Sequence, residues 1–151
     1  MTEHINISLI TKNKKDYLPL LLIGDELESD IDTYLERGDL FVLYDDGVKS
    51  VCAVTDEGNG ILEIQNLATD RRYHRRGYAS RLVAYVAEYY HGRYDKIILG
   101  TGDVPGTLSF YERCGFTKTH RIPDYFTNHF AYPIIDDGVL LKDKVYLERQ
   151  I

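Results

Sequence analysis

Cysteine is scarce in this sequence: its 151 residues include only two, Cys52 and Cys114. Both fall in segments whose residue pattern is typical of regular structure, so the sequence predicts no disulfide framework. A reducing compartment, the cytoplasm, is therefore the expected location. The N-terminus also lacks the basic stretch followed by an apolar one that marks a secretory signal peptide.

Long apolar runs are missing as well. No stretch approaches the roughly 18–20 apolar residues needed to cross a bilayer, and the longest apolar cluster, Tyr17–Ile23, is interrupted by Pro19. Hydrophobic residues nevertheless make up 44% of the chain, which is enough to bury a core. Because no repeat or linker divides the sequence, we expect one domain that spans residues 1–151.

Positive charge is in deficit overall, since the formal net charge is -6. Such a chain should repel nucleic acid and anionic membranes. Five arginines nevertheless cluster between Arg71 and Arg81. A local basic patch on an acidic protein favours a small polyanionic ligand, although a nucleic-acid-binding module that uses this cluster stays open as an alternative.

Two glycine signatures of nucleotide-binding proteins do not occur. The sequence contains no G-x-x-x-x-G-K-[ST], so a nucleoside triphosphatase loop has no support. It also contains no G-x-G-x-x-G after a strand, so a dinucleotide-binding fold has none either.

Hydrophobic periodicity predicts the order of secondary-structure elements. The first half reads as a strand, two short helices and a three-stranded meander: Ile5–Ile10, Lys14–Ile23, Ile31–Arg37, Leu40–Tyr44, Val48–Val54 and Ile61–Thr69. Turn residues at Asp45–Gly47 and Asn59–Gly60 join the last three strands in an antiparallel arrangement. Gly38 ends the second helix.

The second half has helical periods between apolar strands. A helix over Gly77–His91 places one face inward, formed by Ala79, Leu82, Val83, Val86 and Tyr90. The short apolar run Lys96–Leu99 suits a buried parallel strand after that crossover helix. A further helix from Pro105 to Gly115 and two closing strands complete the chain: Phe116–Ile122 and Asp143–Arg149. The expected fold class is α/β, with a mixed, mostly antiparallel sheet, one parallel strand pair and helices on both faces.

The junction after Ile61–Thr69 has the features of an anion site. The basic turn Asp70–Arg76 leads from this strand to a helix that starts at Gly77. The first N–H groups of a helix have no intrahelical partner, and the helix dipole adds partial positive charge there. Gly77 allows a phosphate to approach the backbone, and a diphosphate suits such a site.

The sequence around this junction resembles the GNAT superfamily of acetyl-CoA-dependent N-acetyltransferases. Leu62–Asp70 followed by Tyr73–Ala79 looks like the family's acetyl-CoA motif, which reads Gln or Arg, two residues, Gly, one residue, then Gly or Ala. Gly77 and Ala79 match this pattern, whereas His74 replaces the usual Gln or Arg.

A second motif supports the same resemblance. Leu108–Phe116 is similar to the family's Y-x-x-x-G-F helix end, with Val104 in place of a common Asn and Thr107 in place of a common Ala. The two motifs lie in the expected order, and the resemblance covers about Val42 to Phe116.

The resemblance implies the acetyl-CoA site and a catalytic acid. Acetyl-CoA is expected as the acyl donor. Its pantetheine arm is expected along the backbone of Leu67, Ala68 and Thr69, and its pyrophosphate at His74, Arg75, Arg76, Gly77, Tyr78, Ala79 and Ser80. Tyr111 matches the tyrosine that protonates the departing thiolate. The implied reaction is direct acetyl transfer, in a ternary complex, to a primary amine of a small molecule or peptide. A non-catalytic acyl-CoA-binding or sensing domain of the same fold is the alternative.

The amine side of the reaction is less defined. Glu63 is the candidate base, because an ammonium must lose a proton before it attacks. Strand alternation places Glu63 on the same face as Gln65, Leu67 and Thr69, unless a bulge shifts the parity. An irregular segment with Asp124, Tyr125, Phe126 and His129 is the candidate acceptor-binding element. The spacing of His120, Asp124 and His129 matches no metal motif, so no metal is expected. The closing strands could pair between two subunits of a homodimer.

Overall fold

The structure is a computed structural model that describes residues 4–151. Its centre is a seven-stranded sheet formed by β1 (Ile5–Ile10), β2 (Asp39–Asp45), β3 (Val48–Asp56), β4 (Ile61–Thr69), β5 (Lys96–Gly102), β6 (Thr117–Ile122) and β9 (Lys144–Gln150). The strand order is β1-β2-β3-β4-β5-β9-β6. Within the described residues β4 and β5 are the one parallel pair, and the other neighbours are antiparallel. The predicted mixed sheet is confirmed.

Helices cover both faces of this sheet. They are α1 (Leu18–Gly24), α2 (Glu28–Ile31), α3 (Tyr78–Tyr89), α4 (Pro105–Arg113) and α5 (Tyr125–His129), and a small hairpin forms from β7 (Ile135–Asp136) and β8 (Val139–Leu140). One core lies between the sheet and helices α3 and α4, and a second lies under α1 and α2. None of the described helices is long and apolar enough to span a membrane.

A β-bulge in β4 decides which face each of its side chains occupies. Ala53 and Val54 are consecutive in β3, but their partners in β4 are Asn66 and Ile64. Gln65, between those partners, is therefore the extra residue of the bulge. Before the bulge, Leu62 and Ile64 pack toward α3, and Glu63 therefore points to the α1 side. After it, Leu67 packs toward α3, while Asn66 and Ala68 face α1. The single face predicted for Glu63, Gln65, Leu67 and Thr69 is thus divided by the bulge.

The pairing between β4 and β5 is short. It runs from Ile61 opposite Lys96 to Ile64 opposite Leu99 and stops there, at the bulge. Beyond this point β4 stays paired with β3 up to Thr69, and β5 stays paired with β9 up to Gly102. The edge of β4 that faces β5 is therefore free from Gln65 to Thr69, and the sheet has an opening between its two central strands.

The N-terminal helices differ from the prediction. The single helix predicted over 14–23 is a 3₁₀ turn, Lys14–Tyr17, followed by α1. Pro19 explains the break, because it lacks an N–H and fits the first turn of a new helix. The helix predicted over 31–37 is wrong: α2 ends at Ile31, and residues 32–37 form turns. The Lys14 ammonium donates to the carbonyl groups of Leu35 and Gly38, which stabilises these turns without a continuing helix.

The inward face of α3 differs in one residue from its prediction. Leu82, Val83, Val86 and Tyr90 are buried as predicted, but Ala79 is only partly buried. Tyr78 is buried in its place, and its hydroxyl donates to the Asp45 carboxylate. The helix therefore starts one residue later than the pattern suggested, after Gly77.

Close packing where α1 crosses β4 leads to a stability prediction. A Cβ at Gly24 would overlap Asn66 Oδ1, lie 2.9 Å from Asn66 Cγ and lie 3.3 Å from the Ala68 side chain. We expect Gly24→Ala to lower the free energy of unfolding by about 1–3 kcal/mol, the usual cost of overpacking, in urea denaturation. Gly106→Ala is the control, because a Cβ there meets nothing closer than 3.9 Å. Equal stability of both variants would contradict this packing.

Candidate active site

The turn before α3 is shaped to receive an anion. Gly77 has a φ of 81° and Arg75 a φ of 65°, so two left-handed residues alternate along it. Such alternation makes successive backbone N–H groups converge on one point. No side chain caps the N-terminus of α3 at Gly77, so its first N–H groups are free to bind a ligand. Ser80 is exposed, and its hydroxyl turns back to the Gly77 carbonyl, 3.2 Å away.

His74, which departs from the family pattern, is directed toward the strand. Its Nε2 lies 3.1 Å from the Thr69 carbonyl oxygen and donates to it. The imidazole thereby holds the turn against the end of β4. This contact positions the turn, and the backbone of the turn remains open to the ligand.

Cations surround Tyr73 beside this turn. Lys49 Nζ lies 4.2 Å from the centre of its ring, and the guanidinium carbons of Arg72 and Arg76 each lie 5.3 Å away. Arg72 is also paired with Asp70, at 2.8 Å, and hydrogen bonds from Arg72 lower the pKa of Asp70 to about 2. Arg76 is exposed, so it is the guanidinium of this group best placed to meet phosphate.

A groove continues from the turn between α3 and α4. It is an open cavity of about 400 Å³, lined by Ser80, Val83, Ala84, Arg113, Cys114, Gly115 and Arg149. Arg113 and Arg149 were not among the predicted site residues. They lie here because α4 and β9 pack next to α3, which the spacing of motifs along the sequence does not show.

Tyr111, on α4, lies in the core on the face of the sheet that α3 covers. It is 8% exposed, and its ring makes edge contacts with Phe110 and Phe116, at 5.1 and 5.8 Å. Burial, and then the neighbouring Cys52 and Cys114 thiols, raise the pKa of Tyr111. Among residues 4–151 the Tyr111 hydroxyl has no hydrogen-bond partner. It is nevertheless not a fully enclosed unpaired atom, because within those residues only Asn66 Oδ1 is both unpaired and fully buried. The Tyr111 hydroxyl is therefore unpaired but not completely enclosed.

Glu63 lies across the sheet from Tyr111, on the α1 side. It is half-buried, and burial raises its pKa; the charge of Lys144 opposes this shift, and that of Glu57 adds to it. A carboxyl group with a raised pKa is suited to accept a proton near neutral pH. Tyr111 and Glu63 are thus not adjacent on one surface but lie on opposite faces of the sheet.

A second carboxyl group shares the Glu63 side and was missed in the sequence. Asn66 donates to the Tyr34 hydroxyl at 2.9 Å, and that hydroxyl donates to Asp25 at 3.2 Å. Burial raises the pKa of Asp25 to about 6, although the hydrogen bond from Tyr34 opposes the shift. Nothing local in the sequence marks Asp25, because its partners stand 9 and 41 residues further along the chain.

Glu63 and Asp25 belong to a larger cluster, which we call the acidic–aromatic surface. It comprises Asp25, Asp30, Glu63, Tyr125, Lys144 and Tyr146. Lys144 Nζ lies 4.5 Å from the centre of the Tyr125 ring and 5.3 Å from that of Tyr146. A hydrogen bond of 2.9 Å between His129 Nε2 and Asp30 joins α5 to α2 at its edge.

Of the predicted acceptor segment, Tyr125 and His129 reach this surface. The backbone N–H of Asp124 instead donates to Asp143, and Phe126 stacks on Phe130. His120 stacks on Tyr146 at 4.8 Å. Over residues 4–151 no three potential metal ligands form a cluster.

Comparison with known proteins connects this geometry to a family. The acetyltransferase (GNAT) domain family matches residues 36–118, more than half of the chain. The chain belongs to the GNAT family. It is therefore an acyltransferase, and the GNAT resemblance seen in the sequence is confirmed.

Similar proteins span nearly the whole chain. An uncharacterized N-acetyltransferase of Bacillus subtilis (strain 168), YvbK, is 28% identical over 148 residues, which cover 96% of each chain. A GNAT acetyltransferase of Elizabethkingia anophelis, solved with acetyl-CoA bound, is 25% identical with a TM-score of 0.92 and covers 99% of both chains. A Bacillus subtilis acetyltransferase solved with CoA is 27% identical, with a TM-score of 0.90, over 97% of this chain and 99% of that one.

The left-handed turn of this GNAT chain gives a binding prediction. A Cβ at Gly77 would meet nothing closer than Ser80 Oγ at 4.0 Å, so its positive φ, and not space, requires glycine. A side chain in this conformation costs about 1–3 kcal/mol, and we expect Gly77→Ala to raise the KM for acetyl-CoA about tenfold. Gly92→Ala, at a φ of 85° and at the other end of α3, is the control. An equal rise in KM for both variants would contradict the assignment.

Proposed function

We propose that this chain transfers the acetyl group of acetyl-CoA to a primary amine of a small molecule or peptide. The transfer is direct, in a ternary complex. The observation that carries the proposal is the opening between β4 and β5, with Tyr111 on the α3 face of the sheet and the carboxyl groups of Glu63 and Asp25 on the opposite face.

The cofactor side fits the donor. Acetyl-CoA is the acyl donor of the GNAT family to which the chain belongs. The pyrophosphate would bind the turn of His74, Arg75, Arg76 and Gly77 and the first N–H groups of α3, at Tyr78, Ala79 and Ser80. The Tyr78 side chain is occupied by Asp45, so its backbone would make this contact. The pantetheine would pair with the free edge of β4 at Leu67, Ala68 and Thr69, as an added strand does.

Tyr111 would act as the acid of the reaction. Its raised pKa keeps the phenol protonated at neutral pH, so it can donate to the thiolate that leaves as the acyl bond breaks. The hydroxyl has no hydrogen-bond partner among residues 4–151, so it is free to donate to the sulfur.

The acceptor amine would arrive on the acidic–aromatic surface. Carboxylates and the faces of tyrosine rings both attract an alkyl ammonium group. Glu63 would take the proton that the ammonium must lose before attack, and Asp25 would hold the ammonium near it. A ligand bound there approaches the opening from the face opposite the pantetheine, so donor and acceptor do not compete.

An amine panel tests the proposal. Purified protein is incubated with acetyl-CoA and alkyl diamines, amino acids, aminoglycosides or peptides with a free N-terminus, and the released thiol is measured. We expect at least one amine to release CoA at a rate that saturates with amine concentration. Saturable acetyl-CoA binding without thiol release from any amine would instead support the non-catalytic sensing domain.

Three further expectations stay proposals: one domain over residues 1–151, a cytoplasmic location, and pairing of two subunits through the C-terminal strands. For the last, β6 is an edge strand of the sheet, and all six of its residues are exposed. Light scattering measures the oligomeric state directly.

A further inference from the structure

Lys144 already occupies the place where an acceptor ammonium is proposed to bind. Its ammonium lies over the rings of Tyr125 and Tyr146, at 4.5 and 5.3 Å from their centres. The negative charges of Glu63, Asp25 and Asp30 all act on it. An amine substrate would find the same rings and the same carboxylates.

Lys144 differs from the other half-buried or buried lysines in having no close polar partner. Lys14 donates to backbone carbonyl groups, Lys49 donates to the Asp46 carbonyl, and Lys96 pairs with Glu148 at 3.0 Å. Within residues 4–151 Lys144 makes no hydrogen bond or ion pair of this kind, and its surroundings are rings and more distant charges. Burial lowers its pKa, which increases the fraction of free amine at neutral pH.

The side chain of Lys144 runs from β9 over β5 toward the opening beside β4. The backbone of Lys144 is paired with Gly102, but its side chain extends along β5 as far as Gly100. A Cβ on Gly100 would collide with Lys144 Cε and lie 2.8 Å from Tyr146 Cζ. Gly100 is the first residue of β5 beyond its pairing with β4. Because Gly100 has no side chain, the Lys144 side chain has room to extend toward the opening.

We propose that Lys144 is a site of self-acetylation, at which the chain modifies its own acceptor surface. This proposal rests on the proposed acetyl transfer, because it uses the same donor and the same opening. It adds an intramolecular acceptor, and it makes Lys144 a competitor of external amines.

The step balances without any further reactant. The neutral Nζ of Lys144 attacks the thioester carbonyl carbon, an N–C bond forms, and the C–S bond breaks. The sulfur leaves as the thiol of CoA with a proton from the Tyr111 hydroxyl, and the proton lost by nitrogen passes to Glu63. Proton exchange with water then restores the Tyr111 phenol and the Glu63 carboxylate. The products are free CoA and a neutral Nε-acetyl-lysine.

Acetylation of Lys144 would also change the surface chemically. It removes the positive charge of Lys144 that acts on Asp25, Asp30 and Glu63, and it places an uncharged amide over the two tyrosine rings. The acetylated side chain would occupy the acidic–aromatic surface, so the acetylated chain is expected to turn over external amines at least tenfold more slowly than the unmodified chain.

The test is mass spectrometry of the purified chain after incubation with acetyl-CoA labelled in the acetyl group and without an amine. Lys142 is exposed and lies two residues away, so it reports uncatalysed acetylation in the same peptide region. We expect initial labelling of Lys144 to be at least tenfold faster than that of Lys142 and independent of protein concentration. Tyr111→Phe is expected to slow labelling of Lys144 at least tenfold and to leave Lys142 unchanged.

Two results would overturn the proposal: labelling of Lys144 no faster than that of Lys142, or labelling of Lys144 unaffected by Tyr111→Phe. The amine panel separates this failure from a failure of the proposed function. Thiol release with an external amine and no label at Lys144 rejects self-acetylation alone, whereas no release and no label rejects both. Lys144→Arg keeps the charge and is expected to abolish the fast labelling, leaving only the slow labelling of lysines such as Lys142.

Discussion

Phenylalanine at position 111 is expected to slow acetyl transfer by about 100-fold or more, the usual contribution of a general acid. The substitution removes only the hydroxyl, which has no partner among residues 4–151, and keeps the ring contacts with Phe110 and Phe116. The fold and acetyl-CoA binding should therefore persist. The measurement is kcat with a saturating amine, together with the KM for acetyl-CoA.

The matched control for this prediction is Tyr94→Phe. The Tyr94 hydroxyl donates to Asp56, at 3.2 Å, away from the opening beside β4. Tyr94→Phe removes the same atom from a partly buried tyrosine and should leave kcat unchanged. A Tyr111→Phe enzyme with normal kcat would show that the thiolate leaves without this proton. The raised pKa of Tyr111 also predicts no loss of activity from its ionisation below about pH 10, its ordinary value.

Glutamine at position 63 is expected to lower kcat/KM by about 100-fold at pH 7, since it keeps the shape of the side chain and removes the base. The loss should shrink about tenfold per pH unit as pH rises toward the pKa of the amine, because free amine then forms in solution. The measurement is a pH profile of kcat/KM for the wild type and the variant.

Asp25→Asn is the matched comparison, because it neutralises the second carboxyl group of the same surface. If Asp25 mainly holds the ammonium, its variant should raise the KM for the amine and lower kcat less than tenfold. A larger kcat loss in Asp25→Asn than in Glu63→Gln, with loss of an inflection near pH 6, would assign the base to Asp25. Asp25 could be the base because its pKa of about 6 is close to neutral pH.

The strand, turn and helix start of the candidate cofactor site could be predicted because their signals are local in the sequence. The strand Ile61–Thr69, the basic turn and the helix after Gly77 follow one another, and each has its own residue signature. Backbone amides at a helix start bind phosphate whatever most neighbouring side chains are. His74, the departure from the family pattern, does not disturb the turn, because its side chain donates to the Thr69 carbonyl.

The candidate amine half could be predicted only in part, because the sequence pointed to Glu63, Tyr125 and His129 but not to Asp25 or Lys144. Asp25, Glu63 and Lys144 come from distant parts of the chain, and pairing of β9 between β5 and β6 brings Lys144 near the other two. The bulge at Gln65 adds a further obstacle, because one extra residue moves every later side chain of β4 to the other face. Neither event has a local signature.

The central claim is that donor and acceptor meet through the opening beside β4, from opposite faces of the sheet. A crystal structure with acetyl-CoA tests it most directly. The account predicts pyrophosphate oxygens within about 3.5 Å of the first backbone N–H groups of α3, pantetheine along Leu67–Thr69, and the sulfur within hydrogen-bond reach of the Tyr111 hydroxyl. Acetyl-CoA bound along the acidic–aromatic surface, with its sulfur on the Glu63 side and distant from Tyr111, would contradict it.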